Sequence, residues 1–252
     1  MKLWRKKAPA KPEIRPSSKK PAAAAGSVSG AMKNINQYSK ELAPEAISQG
    51  AHREAVGGMW DEIGQLQFEF LKSRGLAPSH KLCDTGCGAL RGGVHFVRYL
   101  DAGNYFGLDI NTSLIDGGRK ELEQAGLTGK NANLLVNDRF EMSLFGAKFD
   151  YILAVSVFTH LFGNHIVRCL AEARKVLAPG GQFFATFFEA PTSAHLAPIP
   201  QSAGIESRYD SDPFHYSVQE IRMLADLAGL KAEYIGDWRH PRNQRMAAFS
   251  LP

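Results

Sequence analysis

From Lys81 onward short apolar runs alternate with amphipathic stretches, and each changeover carries a turn or cap residue. Residues 81–84, 105–110, 134–137, 150–157 and 182–188 read as strands, each an apolar run of four to eight positions. Strands buried on both faces of a parallel sheet show this near-continuous apolar character. The intervening stretches predict helices over 90–100, 112–125 and 164–177. Asn111 or Thr112 caps the second of these and Gly126 stops it, while Pro179-Gly180-Gly181 follows the third. Upstream, Val56, Trp60, Ile63, Phe70 and Leu71 recur near one face of a helical stretch over 51–75. Gly57, Gly58 and Gly64 interrupt it, which fits either a break between two short helices or a close approach to something flat. Residues 189–213 contain Pro191, Pro198 and Pro200 and are too long for a simple connection, so they are a candidate lid. A helix over 217–228 and two strands over 230–238 and 246–251 close the chain. The short link between those strands requires an antiparallel hairpin. The pattern as a whole predicts an α/β, doubly wound, mostly parallel seven-stranded sheet with ligands at the carboxyl ends of its strands.

The first strand runs into Asp84-Thr85-Gly86-Cys87-Gly88, a glycine-rich turn on the way to a helix. Gly86 and Gly88 permit positive φ and let a ligand approach the backbone. A helix start behind such a loop suits the anionic end of a nucleotide-like cofactor. A dinucleotide fingerprint needs a small residue at the third glycine position, where this chain has Arg91. A phosphate-binding P-loop needs Gly-Lys-Ser/Thr, and none follows.

The Asp84–Gly88 stretch resembles the D-x-G-x-G signature of class I S-adenosylmethionine-dependent methyltransferases. The resemblance extends over residues 80–252. Asp109 matches the acid that in this family grips both ribose hydroxyls, and Asp138, after Asn137, matches the residue that meets the adenine amino group. Leu177-Ala178-Pro179-Gly180-Gly181 is similar to the family's turn before strand five, and the terminal hairpin is its departure from the dinucleotide fold. The resemblance implies a Rossmann-like methyltransferase fold and S-adenosyl-L-methionine as cofactor. It implies a cofactor-binding set of Asp84, Gly86, Cys87, Gly88, Asp109, Ile110, Asn137, Asp138 and Ser156. The chemistry suits that role: a carboxylate accepts both O–H groups of a vicinal diol, and Asp84 favours the methionyl ammonium. Each acid has a plainer reading as a helix cap. Arg91 could pair with the cofactor carboxylate or an acidic substrate, or simply face solvent.

Composition adds a division into parts. The chain has 252 residues and a formal net charge of +5. Its first thirty residues hold eight basic side chains and one acid, leaving 22 basic and 24 acidic residues in the remainder. The basic character therefore belongs to residues 1–30, a Lys-, Pro- and Ala-rich tail expected to be disordered. It reads either as a weak contact for anionic surfaces or as a solubilising leader. Residues 31–79 form an N-terminal helical segment, and 80–252 the methyltransferase domain. No run of 18 apolar residues is present, so no transmembrane segment is expected. Three cysteines without metal spacing point to free thiols in a reducing, cytoplasmic setting and to no metal site.

The methyl acceptor is expected at residues after the fourth strand and at the lid. His160, in Ser156-Val157-Phe158-Thr159-His160-Leu161, is the candidate base for an oxygen or nitrogen acceptor; it could equally be structural. Phe214, His215 and Tyr216 with Tyr209 either bind the acceptor or anchor the lid, and His240-Pro241-Arg242 is a solvated turn or a substrate contact. The expected reaction is methyl transfer to a small-molecule or glycan-type acceptor. The alternatives are a protein or nucleic-acid methyltransferase docked by the basic tail, or a non-catalytic cofactor-binding module. Against the nucleic-acid reading, Ser156–Thr159 lacks the Asn/Asp-Pro-Pro-Tyr/Phe sequence. The oligomeric state stays open. Deleting residues 1–30 is expected to leave the melting temperature and cofactor affinity unchanged, as checked by a thermal melt and by calorimetry; a large fall in melting temperature would refute the disordered tail.

Overall fold

The computed structural model describes Tyr38 and residues 40–252 of the chain. The expected tail over 1–30 lies outside the described residues. Three helices come first: α1 (Pro44–Ser48), α2 (Ala51–Ala55) and α3 (Trp60–Ser73). Alternation then begins with β1 (Leu82–Thr85), α4 (Gly93–Tyr99), β2 (Tyr105–Asp109), α5 (Thr112–Gln124), β3 (Asn133–Val136) and β4 (Phe149–Ala154). It continues through α6 (Gly163–Val176) and β5 (Leu177–Glu189). The short strands β6 (Ile199–Pro200), β7 (Glu206–Ser207) and β8 (His215–Tyr216) lead to α7 (Val218–Ala228), β9 (Lys231–Asp237) and β10 (Arg245–Ser250).

The main sheet runs β3-β2-β1-β4-β5-β10-β9, and β8 adds to the end of β5. Strands β1 to β5 are parallel, and β10 lies antiparallel between β5 and β9. The seven expected strands are thus present, with β8 as an eighth. Alternate strand residues feed opposite layers. Cys83, Ile152, Phe183 and Ala247 meet α6 and α7 on one face, and Leu82, Leu153, Phe184 and Met246 join the layer of α3, α4 and α5 on the other. Two core layers on one sheet explain why the strands read as continuous apolar runs. Because β2 and β4 flank β1 on opposite sides, strand order reverses there and a crevice opens at its carboxyl end.

Three local readings are sharpened. The helix after the glycine loop starts at Gly93 rather than Leu90, because Leu90 takes a left-handed φ of 67° and residues 88–92 form a turn. Strand β5 begins at Leu177 rather than 182, its register with β4 shifting across the Pro-Gly-Gly turn. The glycines of the N-terminal helical stretch divide the two explanations between them. Gly57 and Gly58, at φ 93° and 62°, break it into α2 and α3, whereas Gly64 lies within α3 where a Cβ would stand 2.5 Å from the Arg91 carbonyl oxygen.

That last contact is with backbone and cannot yield by a side-chain rotation. Gly64→Ala is expected to destabilise the fold by about 1–3 kcal/mol in a denaturant titration. Gly129→Ala, where a Cβ meets open space, is the control and should stay within about 0.5 kcal/mol of the parent.

Candidate active site

A cleft with about 1060 Å³ of atom-free space, part of it open to solvent, lies at the crevice beside the end of β1. Every residue of the expected cofactor set lines it, and so does His160. The glycine loop forms its floor. A Cβ on Gly86 would stand 2.5 Å from the Val157 side chain, and one on Gly88 2.8 Å from Val56, so these glycines keep a cradle open.

The two carboxylates sit at the ends of β1 and β2. Asp109 Oδ2 accepts the Gly88 N–H at 2.8 Å and Oδ1 accepts the Asn111 N–H at 2.9 Å. A carboxylate oxygen offers two lone-pair sites, so each keeps capacity for one ribose hydroxyl. Burial pushes the Asp109 carboxyl up from its ordinary range, and its backbone hydrogen bonds oppose the rise. Asp84 accepts the Tyr105 hydroxyl at 2.8 Å. Its pKa is raised to about 7, chiefly by burial, against the Tyr105 hydrogen bond and the Arg91 charge that lower it. The Gly88 N–H is therefore spent on Asp109 rather than left free at a helix end.

Other candidates have duties within the protein. Asn137 uses its side-chain oxygen on the Arg139 and Glu141 N–H groups and its amide on Glu141, shaping the loop that presents Asp138. Ser156 adopts a left-handed φ of 59°; its N–H donates to Thr186 and its hydroxyl meets Gln244. Cys87 packs its sulfur against Gly107, and burial raises its thiol pKa, which makes it inert filling. Arg91 is buried rather than solvent-facing. Its guanidinium donates to the carbonyls of Val56 and Gly58, and burial lowers its pKa to about 10. Arg242 donates to the Gly57 carbonyl, so two arginines hold one turn that walls the cleft. The 240–242 turn is thus packed, not solvated. His240 is buried, stacks on Trp238, and is held neutral with its pKa lowered to about 3 by burial and then by Arg91 and Arg242.

His160 lies on the one-turn helix after β4, and its Nδ1 is 2.5 Å from Asp212 Oδ1. Tyr38 packs its ring edge-on at 4.5 Å. Asp212 and Tyr38 were missing from the sequence-based set. Asp212 is one polar residue in a long irregular segment, and nothing local marks it. Phe214, His215 and Tyr216 are buried as β8 and its neighbour, packed beside β5, and do not line the cleft. His165 is half-buried and does not line the cleft. Among the described residues no cluster of His, Cys, Asp and Glu could hold a metal.

Known proteins share this fold. A methyltransferase-domain family model matches residues 83–183. The chain has the fold of the class I S-adenosylmethionine-dependent methyltransferases. It is 30% identical over 135 residues to the mitochondrial 2-methoxy-6-polyprenyl-1,4-benzoquinol methylase of Danio rerio, a match covering 52% of this chain and 33% of that protein. It is 25% identical over 205 residues to the ubiquinone/menaquinone biosynthesis C-methyltransferase UbiE of Shewanella halifaxensis, covering 76% and 74%. The chain thus spans about a third of one curated relative and about three quarters of the other. Among solved structures, magnesium protoporphyrin IX methyltransferase of Synechocystis PCC 6803 with bound S-adenosylmethionine aligns with a TM-score of 0.55 at 12% identity, covering 86% of this chain and 88% of that one. In this chain Asp84 and Asp109 stand at the ends of β1 and β2, where buried strands meet the open crevice.

With burial raising the Asp84 carboxyl to about 7, cofactor binding is expected to depend on pH. The carboxylate that would pair with the methionyl ammonium is charged above that pH and loses its charge below it. Affinity should fall as pH drops through 7, by up to about tenfold per unit. Asp84→Asn should remove this part of the slope. Calorimetric titrations with S-adenosylmethionine between pH 5.5 and 8.5 measure both; equal slopes for parent and variant would refute the assignment.

Proposed function

We propose that this protein methylates an oxygen or nitrogen of a small-molecule or glycan-type acceptor, with His160 as general base. The observation that carries the reading is His160 on the wall of the cleft that holds both cofactor carboxylates, with Nδ1 engaged by Asp212 and Nε2 left for the acceptor. Bound S-adenosylmethionine supplies an electrophilic methyl on a sulfonium sulfur. The residues do the rest by holding and deprotonating. Asp109 accepts the ribose diol, Asp84 takes the methionyl ammonium, and Asp138 after β3 meets the adenine amino group. Gly86, Cys87, Gly88, Ile110 and the Asn137 and Ser156 backbone shape the cradle around them. The acceptor's O–H or N–H proton passes to His160 Nε2, the new bond to carbon forms as the sulfur–carbon bond breaks, and the proton then leaves to solvent. A neutral thioether is the leaving group, so positioning carries most of the rate and the base only the proton.

The two curated relatives, a benzoquinol methylase and a ubiquinone/menaquinone biosynthesis C-methyltransferase, support a second acceptor class, a quinone-type ring. Tyr38, Val157 and Leu161 give the His160 side of the cleft an apolar and aromatic lining suited to a planar ring. On a ring hydroxyl the same proton transfer would direct the methyl to oxygen or to an adjacent carbon. The three cysteines are buried and free, which favours a reducing compartment such as the cytoplasm. No described helix is long and apolar enough to cross a membrane.

The test is to incubate the protein with methyl-labelled S-adenosylmethionine and a cell extract and identify the labelled product. His160→Ala should lower turnover about 10²–10⁴-fold and leave S-adenosylmethionine affinity unchanged. A rate near that of the parent would leave positioning as the whole mechanism.

A further inference from the structure

We infer that Asp212 is a positioning residue for methyl transfer, fixing the tautomer of His160 so that the base is competent only when the 189–213 segment is docked. The inference rests on His160 being the base. A carboxylate can only accept, so the proton in the 2.5 Å contact belongs to His160 Nδ1. In a neutral imidazole that leaves the lone pair on Nε2. Tyr38 packs edge-on against the same ring, and a side chain held on two sides cannot turn its Nδ1 into the cleft.

Asp212 is delivered by a backbone zipper. The Phe214 N–H donates to the Thr159 carbonyl at 2.7 Å, and the Tyr216 hydroxyl donates to the Leu161 carbonyl. The Phe214 ring lies 4.7 Å from that of Phe162. Within the segment, the Arg208 N–H donates to the Pro213 carbonyl at 2.8 Å and the His215 N–H to the Arg208 carbonyl at 3.0 Å. Residues 212–216 therefore run beside 159–162, and Asp212 falls opposite His160. None of the zipper contacts uses the Asp212 carboxylate, so docking does not need an acid at this position. Its described duty is to the imidazole.

The experiment uses the full chain, with histidine side-chain nitrogens labelled for NMR. In the parent, His160 should carry its proton on Nδ1. In Asp212→Asn the amide can donate to Nδ1, which moves the ring proton to Nε2 and blocks the base. Turnover with labelled cofactor should fall about 10²-fold or more, while the melting temperature and S-adenosylmethionine affinity stay at parent values. Asp212→Glu should restore the Nδ1 tautomer and part of the rate. Asp212→Ala, which only deletes the carboxylate, should lose turnover without affecting cofactor binding. If Asp212→Asn keeps both tautomer and rate while His160→Gln is inactive, the positioning role is wrong and the base stands. If His160→Gln retains turnover, the base reading falls and the inference with it.

Discussion

The buried carboxylate of Asp109 is the constraint on which the site is built. Its two oxygens take one N–H from the turn after β1 and one from the start of α5, so two loops are referenced to a single group. Burying a charge is costly, and charge-assisted bonds to backbone donors offset that cost. The consequences extend outward along the chain. Asn111, beside Asp109, caps α5 through Leu114, and its amide donates to the carbonyls of Tyr38 and Lys40. The Leu42 N–H donates to the Ser113 hydroxyl in the first turn of that helix. The segment that brings Tyr38 to His160 is thus hung from the same helix start that Asp109 organises.

A second anchor holds the opposite side. Arg91 leaves the glycine loop and Arg242 leaves the hairpin turn, and both end on carbonyls of the Val56–Gly58 turn. Partial charges on carbonyl oxygens do not neutralise two guanidiniums. Arg91, with a pKa near 10, stays charged at neutral pH, and Asp84 is the acid that feels it. Neighbouring α2 is tied down by a different pair: Arg53 and His52 both bond Glu121 of α5. Burial pushes that carboxyl up, and these hydrogen bonds outweigh it and hold it below its usual range. The N-terminal segment thus contributes Val56 and Gln67 to the wall of the cleft.

The fold was legible because its strands are buried on both faces and its turns carry glycine, proline or a cap. The carboxyl ends of β1 and β2 were legible for the same reason: an acid that ends an apolar run stands out. Gly92 lies so close to α3 that a Cβ there would stand 2.2 Å from the Gln67 side-chain oxygen. What stayed hidden depends on separation in sequence. Asp212 meets His160 across 52 residues, and Arg242 meets Gly57 across 185. Periodicity reports which face of an element is buried, and it carries no signal for a polar pair made across the fold. The early helix start at Leu90 failed for a local reason: a leucine gives no warning of a left-handed φ, which here lets its side chain fill the space above Gly93 and Gly118.

The segment over 191–213 differs from the core beside it. Between 191 and 213 the buried described residues are Gln201 and Ser207, both polar. Gln201 bonds Ser207 and receives Asn243, and Ser207 meets His215, so this lid is held through hydrogen bonds more than through apolar burial. Segments with few buried apolar contacts open at a fraction of the global unfolding cost. Such a segment can open while β1 to β5 stay intact. Joining His160 to Asp212 then gives opening a chemical consequence: a lid that lifts takes the carboxylate away from the base, and the donor is left beside an imidazole free to present the wrong nitrogen.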